Sequence, residues 1–314
     1  MSSANQTLST DFTLVGLSEK PELKLFLFVA FFLMYIITVV GNFSIILAYN
    51  FSLNLQNPMY FFLNNFSFLE IFYISSTAPK MLANFLSETR TISFYGCAAQ
   101  LYSVLLLAGT EFYILAAMAY DRYNAICHPL LYTVIMSKIV CFQLLAGSWA
   151  IGATNALIHT AFTFSLPFCE SHKLNSFFCD VPVLLKLACK DTWLNELIVF
   201  IFGGGMTVGS LILTIISYIK IISTILNIHS TSGRKKTFST CTSHLIVVTI
   251  FYGSVIFMYL RPKSSYGKDE DKLVSVMYTI VTPLLNPFIY SLRNKEFKVA
   301  MKKVLRRMVT PFTY

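Results

Sequence analysis

The fold is decided by the stretch CAAQLYSVLLLAGTEFYILAAMAYDRYNAICHP, Cys97 to Pro129. Its apolar run, Leu101 to Tyr120, is long enough to cross a bilayer, because about 20 apolar residues in a helix span the hydrocarbon core. The run carries one carboxylate, Glu111, and ends at Asp121 and Arg122. This charged pair fits two interpretations. In the first, it is a stop signal at the membrane interface, and Arg122 extends to the lipid headgroups. In the second, it is a charge pair at the cytoplasmic mouth of a helix bundle, and the pair separates when a partner binds.

Composition excludes a soluble globular protein. Of 314 residues, 55% are hydrophobic and only 12% are charged, whereas roughly a quarter are charged in soluble domains. Residues 1–22 are polar and the first apolar run is long enough to be an anchor, so no cleavable signal peptide is expected. The chain is therefore predicted to cross the membrane several times.

Seven apolar runs follow one another without an internal repeat. They are approximately Leu25–Tyr49, Tyr60–Leu82, Leu101–Tyr120, Ile139–Phe164, Leu197–Leu226, Leu245–Leu260 and Leu273–Leu292. We expect an all-α membrane protein, a seven-transmembrane helix bundle over residues 25–292. Residues 1–24 form an extracellular tail and residues 293–314 a cytoplasmic segment.

Charge predicts the orientation, because short loops rich in Lys and Arg stay in the cytoplasm. One set of loops, with the C-terminus, carries thirteen Lys or Arg against two acidic residues, and the other set carries eleven of each. The N-terminus is therefore expected outside. The sequon at Asn5 lies in that outer tail and predicts glycosylation.

Cysteines divide between the two sides in the same way. Cys97, Cys169, Cys179 and Cys189 lie at or beyond the outer boundary, where disulfides persist. Four cysteines allow three pairings, and their spacing does not choose among them.

The chain resembles the odorant receptors of the rhodopsin-like G-protein-coupled receptor superfamily over nearly its whole length, from about residue 10 to 308. Six runs carry the resemblance in order. They are Asn57–Leu63, Pro79–Leu82, Met118–Leu130, Ser217-Tyr218, Lys236–Leu245 and Pro283–Tyr290. The resemblance implies a plasma-membrane receptor, not an enzyme, that detects small volatile molecules and activates a stimulatory, olfactory-type G protein to raise cyclic AMP.

The same resemblance assigns a switch and a G-protein face at the cytoplasmic end. At rest Asp121 holds Arg122, and activation frees it. The residues that it implicates are Asp121, Arg122, Tyr123, Tyr218, His244, Asn286, Pro287 and Tyr290. It also implies the disulfide Cys97–Cys179, and we expect Cys169–Cys189 to close the remaining loop.

Two carboxylates inside the spans, Glu70 and Glu111, are costly in a bilayer and are therefore candidate functional groups. In the family's arrangement they converge with Asn42 and Asn286 on one polar pocket. There they are expected to share a proton or to hold a cation, with sodium as the ion expected in the resting state. The alternative is that both are protonated and bonded only to neighbouring Asn and Ser side chains. No other cofactor is expected.

A neutral cavity is expected above that pocket. The third run places five residues on one helical face, and the resemblance adds residues from three further spans. The expected lining is Val104, Leu105, Ala108, Gly109, Phe112, Phe202, Gly203, Met206, Phe251, Tyr252, Val255, Tyr259, Val276 and Thr279. None is charged, which predicts a small, neutral, mostly apolar ligand with one hydrogen bond to Tyr259, Thr279 or His159. The glycines at 203–205 either enlarge this cavity or allow close helix packing.

Residues 294–308 predict a short amphipathic helix on the membrane surface. One face carries Phe297, Met301, Val304, Leu305 and Met308, and five Lys or Arg residues occupy the rest. Such a helix binds anionic inner-leaflet lipid.

The sequence also bears on three alternatives to an odorant receptor. A secondary transporter is the main one by architecture, but it usually has repeated halves with interrupted spans. An intramembrane enzyme needs a nucleophile or metal cluster, and the seven Cys and five His are scattered. The sequence leaves open the same receptor fold used for chemosensing outside the nose.

Overall fold

The computed structural model describes residues 11–17, 20–169, 172–227, 230–259, 269–289 and 295–309. Helices dominate these residues. In chain order they are α1 (Pro21–Phe51), α2 (Pro58–Leu86), α3 (Phe94–Cys127), α4 (Tyr132–Ile135), α5 (Lys138–Phe164), α6 (Val181–Leu187), α7 (Trp193–Ile198), α8 (Gly205–Leu226), α9 (Thr231–Tyr259), α10 (Asp269–Val276), α11 (Thr282–Pro287) and α12 (Lys295–Val309). Short π-helical segments, Val199–Gly204 and Met277–Val281, join α7 to α8 and α10 to α11.

Side-chain caps mark where three of the long helices begin. Asn57, Ser93 and Ser137 each accept a hydrogen bond from a backbone N–H three residues later, at 3.1, 3.1 and 3.5 Å. These bonds satisfy N–H groups that the first helical turn leaves open. The polar residues between the apolar runs therefore have a structural role as helix starts.

Five helical stretches in the described part of the chain are long and apolar enough to cross a membrane. They are Glu22–Phe51, Phe94–Cys127, Lys138–Phe164, Trp193–Leu226 and Cys241–Tyr259. Helix α2 is long but carries Glu70, Lys80 and several Asn and Ser residues. The helix formed by α10 and α11 is interrupted by a π-helical segment and begins with charged residues.

Helix α3 is the centre of the bundle. It packs against α2, α5 and α8, and more than half of its residues are buried. The contact with α5 requires glycine at position 152, because a Cβ there would lie 2.8 Å from both the Leu106 carbonyl oxygen and the Thr110 amide nitrogen. The stretch that decides the fold in the sequence is thus the helix around which the others pack.

A small sheet adds a β element to the expected all-α architecture. Strand β1 (Phe12–Leu14) pairs antiparallel with β2 (Thr91–Ile92) and parallel with β3 (Lys173–Leu174). Phe12 and Leu14 are buried in a cluster that includes the Cys97–Cys179 disulfide. Residues 12–14 are therefore an integral part of the fold, although the sequence suggested only a tail.

Helix α12 follows the bundle and packs against α1 and the turn after it. Phe297, Ala300 and Val304 are buried, whereas Lys298, Lys302 and Lys303 are exposed. The 3.6-residue helical period separates these two faces.

Candidate ligand cavity and intramembrane polar groups

A cavity lies between α2, α3, α5, α9 and the junction of α7 with α8. Ten of the residues proposed from the sequence as lining residues or hydrogen-bonding groups line it: Val104, Leu105, Ala108, Gly109, Phe112, His159, Gly203, Met206, Val255 and Tyr259. All five expected positions on α3 are present, because this helix runs through the level of the cavity without interruption. The periodicity of the third run therefore identifies one wall correctly.

Phe202 does not line the cavity, and its expected role is wrong. Its side chain is 46% exposed on the outer surface of the bundle. The cause is the π-helical segment 199–204, whose i→i+5 hydrogen bonds shift the residues relative to an α-helix. Val199, Gly203 and Gly204 face the cavity instead.

Four other expected lining residues, Phe251, Tyr252, Val276 and Thr279, are buried but do not line the cavity. The Phe251 and Tyr252 rings pack 4.8 and 5.1 Å from the Phe112 ring, centroid to centroid. The Thr279 hydroxyl donates to the Ser275 carbonyl at 2.6 Å. These residues support the walls, and Thr279 has no hydroxyl proton left for a ligand.

Sequence reasoning missed six lining residues: Tyr73, Asn155, Val181, Val199, Thr207 and Tyr278. Tyr73 follows Glu70 by three residues on the same face of α2, so the helical period could have found it. Asn155 precedes His159 by one turn of α5 in the same way. Val181 lies two residues after Cys179 at the start of α6, where the disulfide to Cys97 and the hydrogen bonds of Asp180 hold it against the bundle.

Asp180 is a buried carboxylate directly behind the neutral cavity wall. It accepts hydrogen bonds from the Tyr259 hydroxyl at 2.6 Å, the Tyr278 hydroxyl at 3.3 Å and the Val181 backbone N–H at 2.8 Å. Burial raises the pKa of Asp180 to about 6, although these hydrogen bonds oppose the increase. Among the described residues the cavity wall contains no Asp, Glu, Lys or Arg, but the Tyr259 hydroxyl is already engaged.

The two disulfides hold this outer region in place. Cys97 at the start of α3 is bonded to Cys179, and Cys169 is bonded to Cys189. Both expected pairs are present. Asp180 follows Cys179 directly, so the first bond fixes its backbone next to α3.

A second cluster of polar side chains, the carboxylate cluster, lies within the bundle and consists of Asn42 on α1, Glu70 on α2, Glu111 on α3 and Asn286 on α11. The Asn286 side-chain amide donates to a Glu70 carboxylate oxygen, and the Asn42 amide donates to the Thr38 and Pro283 carbonyls at 3.0 and 3.4 Å. Glu70 and Glu111 are both fully buried inside the bundle.

Several oxygens of this cluster receive no hydrogen bond from a described donor. They are Asn42 Oδ1, Asn286 Oδ1, Glu70 Oε2 and both oxygens of Glu111. Pro287 lies beside this cluster, close to Gly41, where a Cβ would be 2.9 Å from the proline ring. The cluster thus combines two carboxyl groups with two amide oxygens that have free acceptor capacity.

Near the C-terminal end of α3, a chain of hydrogen bonds links α3, α8 and α9. Arg122 donates to the Tyr218 hydroxyl on α8 at 3.4 Å, and that hydroxyl lies 2.7 Å from His244 Nδ1 on α9. Asp121 accepts from the Tyr132 hydroxyl on α4 at 2.8 Å, a partner that the sequence did not suggest. The Tyr123 hydroxyl lies 3.0 Å from His128 Nε2.

Tyr290 and Asn5 lie outside the described residues. Of the expected switch residues that are described, the structure joins Arg122, Tyr218 and His244 in one hydrogen-bonded chain. Asn286 belongs instead to the carboxylate cluster, and Pro287 lies beside it.

Comparison with known proteins agrees with this architecture. A family profile described as "Olfactory receptor" matches residues 31–308. Human olfactory receptor 5I1 is 51% identical over 305 residues, 97% of each chain. Human olfactory receptor 5AP2 is 50% identical over 301 residues, 96% of this chain and 95% of the relative. The dog olfactory receptor-like protein OLF1 is 49% identical over 305 residues, 97% and 98% of the two chains. The chain therefore belongs to the olfactory receptor family, multi-pass G-protein-coupled receptors of the plasma membrane that sense odorants and are not enzymes.

Proposed function

We propose that this receptor binds small, neutral, mostly apolar volatile molecules in the cavity between α3, α5, α8 and α9. The observation that carries this proposal is the chemistry of the cavity wall, which is aliphatic and aromatic with a few uncharged polar groups. A charged ligand would lose its hydration there without meeting a counter-ion in the wall. Apolar burial supplies most of the affinity, at about 25 cal/mol per Å². Much of it is offset by lost translational freedom, so affinities fall in the micromolar range.

The membrane topology that we propose has seven spans, with the N-terminus outside. Helix α2 and the α10–α11 helix complete the five long apolar helices, because both pack inside the same bundle. The excess of Lys and Arg on one side supports this orientation. The proposal puts Asn5 in the glycosylated outer tail and the α12 lysines on anionic inner-leaflet lipid.

Signalling, in this proposal, passes through the cytoplasmic chain of Arg122, Tyr218 and His244. These side chains tie α3, α8 and α9 together, so any relative displacement of α9 must break or rearrange them. Ligand contact with Val255 and Tyr259 acts on the same helix nearer its outer end. We propose that this displacement opens the cytoplasmic face, on which Asp121 and Arg122 lie, to a stimulatory olfactory-type G protein.

A sodium ion is proposed for the resting state in the carboxylate cluster. The buried oxygens of Glu70, Glu111, Asn42 and Asn286 that lack a hydrogen-bond donor are the kind of ligand that a hard cation prefers. When bound, the ion would neutralise charge between α2 and α3. The alternative, two protonated carboxyl groups, predicts no response to sodium.

A cyclic-AMP assay tests the proposed function. Surface-labelled receptor is expressed in cells with and without the stimulatory Gα subunit, and each line is exposed to a panel of volatiles. Concentration-dependent cyclic AMP that requires both receptor and Gα supports the proposal. Responses that persist without any G protein would favour the transporter alternative. Responses that appear only with a second panel, of non-volatile body metabolites, would favour the same fold used for chemosensing outside the nose.

A further inference from the structure

Three of the six polar side chains that line the cavity in the described part of the chain already donate their hydroxyl protons within the protein. The Tyr259 and Tyr278 hydroxyls donate to Asp180, and the Thr207 hydroxyl donates to the Gly203 carbonyl at 2.9 Å. Because each of these hydroxyls has already donated its proton, a ligand must find a hydrogen-bond donor among the other polar groups of the wall. In the described part of the chain these are Tyr73, Asn155 and His159.

Asn155 and His159 lie four residues apart on α5, so their side chains are neighbours on one face of the helix. They are 8% and 4% exposed. Asn155 Oδ1 receives no hydrogen bond from a described donor. The His159 ring lies against Gly203, where a Cβ would be 3.6 Å from Nε2. Glycine at position 203 thus leaves the space beside the imidazole open to the cavity.

The two side chains offer complementary hydrogen-bonding capacity. The amide oxygen only accepts, whereas a neutral imidazole has one donor nitrogen and one acceptor nitrogen. Among neutral oxygen-containing groups, a hydroxyl both donates and accepts, while aldehydes, ketones, esters and ethers only accept. A buried acceptor without a donor is costly, so a ligand that brings a donor is favoured over one that does not.

We propose that the ligand is an alcohol or phenol whose hydroxyl donates to Asn155 Oδ1 and accepts from His159. This inference rests on the proposed function and narrows the ligand class. Tyr73 lies on α2, a different helix, and its hydroxyl also receives no hydrogen bond from a described residue. It has no such neighbour on its own helix face within the cavity wall. The pair on α5 therefore defines the hydroxyl site.

The test uses full-length receptor and volatile alcohols, each compared with the aldehyde and the methyl ether of the same carbon skeleton. Cyclic AMP is measured in wild type, Asn155→Leu, His159→Phe and Thr154→Val, with surface expression quantified for each. Thr154→Val is the matched control, because its hydroxyl bonds to the Ala150 carbonyl at 2.9 Å and lies on the exposed side of α5.

In wild type we expect alcohols to be about tenfold or more potent than their matched aldehydes and ethers, since only the hydroxyl satisfies both groups. Asn155→Leu and His159→Phe should each remove most of that preference, and Thr154→Val should retain it. If a variant fails to reach the surface, the wild-type potency ratio still decides.

Equal or greater potency of the aldehydes in wild type would overturn the hydroxyl inference and leave the proposed function standing. If well-expressed wild type responds to no alcohol, aldehyde or ether in the panel, both the proposed function and the inference fail. A preference for alcohols that survives both Asn155→Leu and His159→Phe would show that the hydroxyl is recognised elsewhere and would reject the assigned site.

Discussion

Asp180 connects the long outer loop to α9 and to the helix formed by α10 and α11. Its two carboxylate oxygens accept from Tyr259 and Tyr278, one on each of these helices. Because the group is buried, its charged form is disfavoured, and its pKa is about 6 instead of the ordinary 3.8. The folded receptor thus binds a proton at Asp180 more tightly than the unfolded chain does.

The sign of the resulting pH dependence follows from linkage. A raised pKa in the folded state contributes stability that is fully present below 3.8 and is lost as the pH rises through about 6. When the pH is lowered from about 7.5 to about 5, protonation of Asp180 should therefore raise the free energy of unfolding of wild type by about 1 kcal/mol. Melting temperatures of purified wild type and Asp180→Asn at both pH values test this. The same pH dependence in both proteins would contradict it.

Glu111 is the residue that tests the sodium proposal. Both of its oxygens are buried and receive no hydrogen bond from a described donor. If it helps to hold sodium, Glu111→Gln should weaken or abolish the effect of sodium on basal cyclic AMP while surface expression is retained. Glu88→Gln, an exposed carboxylate after α2, is the matched control. An unchanged sodium response in well-expressed Glu111→Gln favours the protonated pair.

At the scale of elements, the contact between α3 and α5 depends on one glycine. Replacing Gly152 with Ala would put the new Cβ against backbone atoms of α3, which no side-chain rotation relieves. We expect a loss of about 1–3 kcal/mol in the free energy of unfolding.

Gly147 on the same helix is the natural control for this prediction. A Cβ at position 147 meets nothing within 4 Å, so Gly147→Ala should be neutral or stabilise the helix by up to about 1 kcal/mol. The measurement is the melting temperature of the two purified variants. Equal melting temperatures would mean that the close approach at Gly152 does not limit packing.

The elements also explain which cavity residues could be predicted from the sequence. On α3 an uninterrupted helical period yields all five lining residues. Phe202 and Thr279 were expected from the resemblance instead, and both lie in π-helical segments, where side chains are displaced relative to a regular α-helix. Asp180 could not be found by periodicity at all, because a loop residue is positioned by its disulfide and its hydrogen bonds.

At the scale of the whole molecule, the apolar runs and the six family motifs were sufficient to identify a receptor built from a helix bundle. They did not reveal the three-stranded sheet, because β1, β2 and β3 contain only three, two and two residues and lie far apart in sequence. Pairing of such short strands depends on tertiary contacts, here the burial of Phe12 and Leu14.

The central claim is that neutral ligands bind in the cavity beside α3 and activate the receptor from that site. The most direct test replaces Ala108, which lines this cavity, with a larger residue. Gly109 is less suitable, because a Cβ there would lie 3.2 Å from the Gly152 Cα and would disturb packing as well. The measurement is the cyclic-AMP response of wild type and Ala108→Phe to a homologous series of ligands of increasing length, at matched surface expression. We predict that Ala108→Phe weakens the response to the longest ligands most and to the shortest least. An equal change at every length, or none, would contradict the claim that this cavity holds the ligand.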